Sequence, residues 1–343
     1  MQTTSEAQYR AAMGGGVPEP EAIADGLWSV AVPMPGDLLA YTLSVVHVGP
    51  DGAVTIVDPG WETPEVHARI AASLAALDRT VADIRWIVAT HAHPDHLGAA
   101  DALRRASGAQ LLLHEREQAD IDLLRIGTEV DARSLVTGWG APEAVQDRLI
   151  ADLAGVHDRA VLPDPADALL RDGDRLPMPG FECEVLATAG HTAGHICLVD
   201  RDRKLVFSGD HVLPTVFPGV GLSVGRGRGA SSDEPNPVAA YLESLERLAP
   251  YDGFEVVPGH GYRFRGFGGR RREMEDHLLR RAREVGEALA ADPEASTWEV
   301  ASRLTWSAGW DRLSSGPMLS SALLQTALYA DFMRGGGVRN GGS

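Results

Sequence analysis

Three histidines and one aspartate stand within six residues of the sequence, in the segment Thr90-His91-Ala92-His93-Pro94-Asp95-His96. His91 and His93 alternate along an extended loop and point to the same side, so two neutral imidazoles can reach one cation. Asp95 and His96 follow at the turn into a helix, where they can face a second cation. The chain has 12 histidines among 343 residues, so a solvated polar loop is a poor explanation. The spacing predicts a metal site.

Further metal ligands are expected at the ends of later strands, and suitable residues occur there. They are His191, Asp210 and His260, in the segments Ala189-Gly190-His191, Ser208-Gly209-Asp210 and Pro258-Gly259-His260. Each follows an apolar, strand-like run. The glycine beside each residue allows the backbone to approach a crowded centre closely.

The elements that position these residues alternate along the chain. Strands are predicted at 26–32, 39–48, 53–57, 86–89, 110–114, 183–187, 196–199, 205–208 and 255–257, and helices at 63–77, 97–106 and 238–248. Strands separated by helices, with hairpin-like pairs at the start, predict an α/β layered fold with mixed sheets.

The predicted division of the chain follows from changes in composition. A leader is expected at 1–25, a catalytic domain at 26–268, an all-helical C-terminal domain at 269–335 and a flexible tail at 336–343. Within the catalytic domain, residues 115–162 are predicted to form a helical insertion or lid. The Gly- and Pro-rich segment 214–237 is predicted to be an ordered loop. Both are expected to line the pocket.

The His-x-His-x-Asp-His segment and the three later motifs, in this order, resemble the metallo-β-lactamase superfamily of metal-dependent hydrolases over about residues 26–265. The resemblance implies a four-layer αβ/βα sandwich with the site at its edge. It also implies two metal ions and seven ligands: His91, His93 and His191 on one ion, Asp95, His96 and His260 on the other, and Asp210 bridging them. Asp58 matches a family aspartate that supports the ligands from behind.

The chemistry that the resemblance implies is hydrolysis by a hydroxide that bridges the ions, with Asp95 and Asp210 as the catalytic carboxylates. Two divalent ions, two carboxylates and one hydroxide leave a surplus of about one positive charge, which suits a developing oxyanion. Two Zn²⁺ per chain are expected, although the same ligands accept Fe or Mn. No serine or cysteine nucleophile is needed. His195 and His211 adjoin the ligands and are expected to pack or support them.

The favoured activity is hydrolysis of an acyl thioester or similar ester. The alternatives are a lactone hydrolase and a mononuclear iron enzyme that resembles the persulfide dioxygenases. Antibiotic hydrolysis is disfavoured, because the sequence shows no signal-peptide pattern of the kind that secreted zinc β-lactamases carry, and Asp210 stands where one β-lactamase subtype has cysteine. The C-terminal helices are similar to the small winged-helix-like extension of some glyoxalase-II-like and lactonase-like members. Residues that bind glutathione in glyoxalase II are not recognisable here.

Composition narrows the expected partners. The chain has 31 Lys+Arg against 48 Asp+Glu, for a net charge of −17, which disfavours nucleic acid and anionic membranes. A small-molecule or carrier-bound acyl substrate is expected instead. The sequence has no signal-peptide pattern and no long apolar run, so a cytoplasmic protein is predicted. The C-terminal helices could pack on their own sandwich or form a homo-oligomer. Cys183 and Cys197 are expected to be buried thiols.

Overall fold

The computed structural model describes residues 1–36, 39–126, 132–159, 162–223, 235–307 and 309–337. The centre of the loop predicted at 214–237 and most of the tail predicted at 336–343 lie outside these residues, as do short parts of the insertion predicted at 115–162.

The strands follow one another along the chain in short segments. They are β1 (Gln2–Thr3), β2 (Glu21–Ala24), β3 (Leu27–Pro33), β4 (Tyr41–Val48), β5 (Val54–Val57), β6 (Ile84–Val88), β7 (Gln110–His114), β8 (Ala168–Leu170), β9 (Glu184–Ala187), β10 (Ile196–Asp200), β11 (Leu205–Gly209), β12 (Glu255–Pro258) and β13 (Phe264–Arg265). They form a seven-stranded sheet in the order β2-β3-β4-β5-β6-β7-β8 and a six-stranded sheet in the order β1-β13-β12-β11-β10-β9.

Both sheets are mixed, as the sequence predicts. The seven-stranded sheet is antiparallel from β2 to β5 and parallel from β5 to β8. In the six-stranded sheet, β11 and β12 are parallel and the other neighbours are antiparallel. The parallel pairs need helical crossovers, which explains the alternation of strands and helices along the chain.

The helices occupy the outer faces of the sheets and the segments added to them. They are α1 (Glu6–Gly14), α2 (Pro64–Ala75), α3 (Pro94–Leu97), α4 (Ala100–Ser107), α5 (Glu115–Arg125), α6 (Ala132–Gly138), α7 (Glu143–Arg159), α8 (Pro237–Arg247), α9 (Phe267–Ala291), α10 (Thr297–Arg303), α11 (Trp310–Ser315) and α12 (Leu319–Arg334). No helix in the described ranges combines the length and the apolar composition that crossing a bilayer requires.

Helix α2 shows how local sequence specifies an outer layer. Thr63 caps its N-terminus by accepting a hydrogen bond from the Val66 amide, and Pro64 occupies the first turn. Val66, Ile70 and Leu74 recur at four-residue intervals and are fully buried. This apolar stripe packs against the seven-stranded sheet.

Three apolar clusters lie between the successive layers of helices and sheets. Between the sheets, Val45 and Val88 of one sheet join Leu198 and Phe207 of the other. A second cluster lies between the seven-stranded sheet and α2, α4 and α5. A third lies between the six-stranded sheet and α8, α9 and α12. Helix, sheet, sheet and helix therefore succeed one another, and the predicted four-layer αβ/βα sandwich is confirmed.

The helix predicted at 97–106 is interrupted in the structure. Helix α3 ends at Leu97 and α4 begins at Ala100, because the Ala99 amide donates to the Gly60 carbonyl at 2.9 Å. A Cβ atom at Gly98 would lie 2.8 Å from the Glu62 nitrogen, so this close passage requires glycine. The interruption places Asp95 and His96 on a separate short turn.

The segment predicted as a leader contributes to both sheets. Strand β1 pairs with β13 at the edge of one sheet, and β2 pairs with β3 at the edge of the other. The buried Gln8 of α1 donates to Ser29 Oγ at 2.9 Å and accepts from the Arg263 amide at 3.0 Å. Residues 1–25 therefore pack as part of the sandwich.

The helices added to the sandwich pack on one another. Trp139 and Leu149 of the insertion share an apolar cluster with Ala301, Leu319 and Leu323 of the C-terminal helices. The amide of Trp298 donates to the Trp139 carbonyl at 2.9 Å. The insertion and the C-terminal helices therefore form a joint helical unit, while α9 and α12 also cover the six-stranded sheet.

Candidate metal centre

The seven predicted ligands come together at one edge of the sandwich. His91 and His93 follow β6 of the seven-stranded sheet, whereas His191, Asp210 and His260 follow β9, β11 and β12 of the six-stranded sheet. Asp95 and His96 belong to α3. Their donor atoms form three groups: His91, His93 and His191; His91, His96 and Asp210; and Asp95, His96 and His260. Within each group, the donor atoms lie within 4.8 Å of one another.

The first histidine set is compact, with His91 and His191 buried and His93 half-buried. His93 Nδ1 lies 2.9 Å from His91 Nε2 and 3.1 Å from His191 Nε2. Burial and the neighbouring histidines hold the pKa of His91 well below its usual value, and burial is the main cause that lowers the pKa of His191 to about 4. Both rings are therefore neutral at pH 7, the form that binds a metal ion.

The second set brings carboxylates to the histidines. His260 Nε2 lies 3.2 Å from Asp95 Oδ2 and 3.3 Å from His96 Nε2. Burial opposes a positive charge on His260, but Asp210 and Asp95 outweigh it and raise its pKa to about 10. Positive charge is therefore favoured at this position, whether a proton or a metal ion supplies it.

Asp210 lies between the two sets. Its Oδ1 is 3.3 Å from His260 Nε2 and 3.4 Å from His96 Nε2, and its Oδ2 is 3.8 Å from His191 Nε2. Burial would raise the pKa of Asp210, but His260 and His96 hold it well below its usual value. Oδ1 is buried without a hydrogen-bond partner in the described part of the chain. A buried, ionised carboxylate oxygen of this kind suits a cation.

The outer nitrogens of the second set are fixed by hydrogen bonds. His96 Nδ1 lies 2.9 Å from Asp58 Oδ2, and His260 Nδ1 lies 2.8 Å from the Tyr41 carbonyl oxygen. Because these acceptors require an N–H donor at Nδ1, each ring is held with its Nε2 atom turned towards the centre.

The first set is held in the same way by a different segment. His191 Nδ1 donates to the Gly219 carbonyl at 2.8 Å, and His93 Nε2 donates to the Leu222 carbonyl at 2.9 Å. We call residues 219–222 the strap. The strap is also hydrogen-bonded to the loop that carries His191, because the Leu222 amide donates to the His191 carbonyl at 2.7 Å. His93 therefore presents Nδ1 to the centre, whereas His191 presents Nε2.

Asp58 lies where the resemblance implies a supporting carboxylate. It is 3% exposed, and its φ of 52° places it in the left-handed region that aspartate tolerates better than most residues. Besides its contact with His96, it accepts from the Thr90 amide at 2.7 Å and the Thr90 hydroxyl at 2.8 Å. The Thr90 oxygen lies 3.1 Å from His91 Nδ1. One carboxylate thus contacts His96 of the second set directly and reaches His91 of the first set through Thr90.

His195 and His211 stand behind the centre, as the sequence predicts. His195 Nε2 accepts a hydrogen bond from the Asp210 amide at 3.1 Å. The His211 ring stacks on Tyr241 at 4.2 Å between centroids, and the Tyr241 hydroxyl donates to the His211 carbonyl. His195 thus supports the backbone that presents Asp210, and Tyr241 holds the backbone of the adjacent His211.

Gly259 allows the backbone beside His260 to lie close to Asp210 and His96. A Cβ atom at Gly259 would lie 2.6 Å from Asp210 Oδ1 and 2.8 Å from His96 Cε1. Either contact is too short for a real side chain, so any other residue would displace a predicted ligand.

Glu117 is a buried residue of the site that sequence reasoning missed. It lies in the first turn of α5 and is 0% exposed. Burial raises the pKa of its carboxyl to about 7, although hydrogen bonds from Thr192, Ala92 and Gly194 oppose that effect. The sequence shows it only as one acid in a charged helix, and no local pattern marks it as buried.

The donor set fits divalent metal ions. Five imidazole nitrogens and two carboxylates converge, and the outer nitrogens of His93, His96, His191 and His260 are all occupied by oxygen acceptors. Imidazole and carboxylate ligands are typical of Zn²⁺ and also suit Fe and Mn. The assignment of each residue as a ligand stays a prediction for metal analysis to test.

A four-layer αβ/βα sandwich with a His/Asp cluster at its edge is the architecture of a metallo-hydrolase. The chain belongs to the metallo-beta-lactamase superfamily, whose sequence model matches residues 40–260. It is 27% identical to the hydroxyacylglutathione hydrolase of Haemophilus influenzae over 213 residues, which cover 60% of this chain and 79% of that protein. It is 26% identical to a probable metallo-hydrolase of Bacillus subtilis, over 68% of this chain and 70% of that protein.

Solved structures extend the likeness to the added helices. A metallo-beta-lactamase family protein from Thermus thermophilus aligns with a TM-score of 0.73 at 25% identity, over 92% of this chain and 95% of that one. A beta-lactamase domain protein from Burkholderia ambifaria aligns with a TM-score of 0.71 at 22% identity, over 94% and 92% of the chains. The predicted family and fold are thereby confirmed.

Proposed function

We propose that the protein is a dinuclear zinc hydrolase that cleaves acyl thioesters. His91, His93 and His191 would hold one ion, Asp95, His96 and His260 would hold the other, and Asp210 would bridge them. The observation that supports this proposal best is the position of Asp210, whose two oxygens face opposite histidine sets at 3.3 to 3.8 Å. A carboxylate that bound a single ion would need to face only one of the two histidine sets.

The chain's own residues orient the ligands and control their protonation. Asp58 and the Tyr41 carbonyl hold His96 and His260 with Nε2 facing the centre, and the strap holds His93 and His191. When bound, two divalent ions would polarise the acyl carbonyl and lower the pKa of a coordinated water to about 7. Asp95 and Asp210 supply the negative charge that keeps this centre close to neutral.

The cysteines support water, rather than a side chain, as the nucleophile. Cys183 and Cys197 are buried in the sheet cores, and burial raises the pKa of Cys197 to about 12 and also raises that of Cys183. A thiol with such a pKa is protonated and unreactive at neutral pH. Covalent catalysis by either cysteine is therefore disfavoured.

The thioester class is favoured by similarity to a hydroxyacylglutathione hydrolase. The substrate is a small molecule or an acyl group on a carrier, and lactones are the second class to test. Glutathione is one carrier to include, although glutathione-binding residues are not recognisable in the sequence. Coenzyme A and acyl carrier protein thioesters complete the set.

The test combines metal analysis with a substrate panel. We expect two zinc ions per chain, and faster turnover of thioesters than of lactones, phosphodiesters or β-lactams. Asp210→Asn should lose metal and activity together. Asp200→Asn is the matched control, because Asp200 is similarly buried but pairs with Arg203 away from the centre. One iron per chain with oxygen consumption on a persulfide would replace this proposal with the dioxygenase alternative.

A further inference from the structure

Glu117 joins the two loops that present the first histidine set. Its Oε2 accepts a hydrogen bond from the Ala92 amide at 2.8 Å. Its Oε1 accepts from the Thr192 hydroxyl at 2.6 Å and from the Gly194 amide at 2.8 Å. Three donors from two chain segments thus converge on one carboxylate, which is fully buried.

The partners of Glu117 stand directly beside the predicted ligands. Ala92 separates His91 from His93, and Thr192 follows His191. The loop of His191 packs tightly against α5, because a Cβ atom at Gly194 would lie 2.5 Å from the Glu117 nitrogen. The Glu117 carboxylate binds a backbone amide of each loop, at Ala92 and at Gly194, and within the described ranges it makes no hydrogen bond to an imidazole.

We propose that Glu117 is a positioning residue that holds the loop of His91 and His93 against the loop of His191, so that their nitrogens converge on one metal ion. The inference rests on the proposed metal site. It assigns the insertion a role in building the site, because Glu117 belongs to α5, the first helix of that insertion.

A carboxylate suits this position better than an amide does. Both oxygens of Glu117 accept hydrogen bonds from N–H or O–H donors, two of which are backbone amides. In Glu117→Gln, the amide nitrogen would face one of those backbone amides, donor against donor. The variant keeps the size of the side chain but loses the hydrogen bond to the backbone amide of one loop.

The neighbouring Gln118 provides a matched control. It is 7% exposed, accepts from the Ala166 amide at 2.9 Å and donates to Asp122 at 2.8 Å. Neither contact involves a ligand loop. Gln118→Leu therefore removes buried hydrogen bonds from the same helix without changing the support of the centre.

The experiment measures Zn²⁺ affinity by chelator competition and the visible absorption of the Co²⁺-substituted protein. We expect Glu117→Gln to weaken metal binding by about 10-fold or more and to alter the Co²⁺ spectrum, which reports ligand geometry. Gln118→Leu should keep the wild-type affinity and spectrum, even if its melting temperature falls. A folded Glu117→Gln protein with wild-type affinity and spectrum would overturn the inference.

A milder pair of variants covers the case in which Glu117→Gln does not fold. Thr192→Val removes one donor to Glu117, whereas Thr192→Ser retains the hydroxyl. Weaker metal binding in the valine variant, restored in the serine variant, supports the positioning role, and equal binding in both opposes it. If the wild-type protein itself binds no metal, the proposed function fails. If the wild type binds metal and the variants bind it equally well, only the role of Glu117 fails.

Discussion

The Nε2 atoms of His96 and His260 lie 3.3 Å apart, although 164 positions separate the two residues in sequence. Each ring donates its Nδ1 hydrogen elsewhere, to Asp58 and to the Tyr41 carbonyl. The two Nε2 atoms therefore face each other beside the Asp210 carboxylate. Burial opposes positive charge on both rings, but the neighbouring carboxylates outweigh it and raise the pKa of each, so positive charge is favoured between the rings, whether a proton or a metal ion supplies it.

Removal of metal should destabilise the protein. A ligand that binds only the folded state at 1,000 times its dissociation constant contributes about 4 kcal/mol. Excess chelator should lower the melting temperature by several degrees, and added Zn²⁺ should restore it. Differential scanning fluorimetry measures the shift. An identical melting temperature with chelator and with Zn²⁺ would contradict a metal site of useful affinity.

Asp210→Ala should fold and bind fewer than two ions per chain. The substitution removes the only carboxylate that faces both histidine sets among the described residues. Metal analysis of the purified variant, with circular dichroism as the check on folding, tests this expectation. Two retained ions together with full activity would refute the bridging role.

Asp58→Asn should weaken metal binding or activity by about 10- to 100-fold, the usual effect of losing a carboxylate that orients a ligand. The amide retains the volume of Asp58 but cannot satisfy both Thr90 donors and His96 at once. Zn²⁺ titration and kcat/KM provide the measurements. Wild-type values for both would show that His96 needs no such support.

Gln325→Leu should weaken metal binding by about 10-fold, the lower end of the same range. Gln325 Oε1 accepts from the Val220 amide at 3.1 Å and so ties α12 to the strap. Ser321→Ala is the control, because Ser321 contacts Gln325 but not the strap. If both variants bind Zn²⁺ equally well, the C-terminal helix does not help to orient His93 and His191.

The free energy of unfolding should fall between pH 7 and pH 5 because His277 has a lowered pKa in the folded protein. Its ring stacks on Phe217 at 4.0 Å, and burial, followed by Arg281, Arg280 and Arg270, lowers its pKa to about 4. The unfolded chain binds a proton below about pH 6.5 and the folded chain does not, so stability is complete above that pH and decreases towards pH 4.

The variant His277→Phe retains the stacking and removes the titration. Urea unfolding at pH 7 and pH 5 should show a smaller loss of stability in this variant than in the wild type. Equal losses would mean that the pKa of His277 is close to its unfolded value.

Much of the fold follows from local pattern. Strand β7 spans Gln110–His114, as predicted, and α2 begins beside the predicted Thr63. These elements depend on alternation, four-residue periodicity and capping, which neighbouring residues determine. The choice of His and Asp at the strand ends likewise identified seven candidate ligands, and the structure brings all seven together.

Other features depend on contacts between distant segments. The two-residue strand β1 forms only because β13 offers it a pairing edge, and Glu117 is buried only because two ligand loops close over it. Such contacts are set by the register of the sheets and the path of the loops, which have no periodic signal in sequence. The sequence thus determined which side chains could bind metal. Tertiary structure decided which nitrogen each presents and which carboxylates hold it, because hydrogen-bond partners are selected in three dimensions.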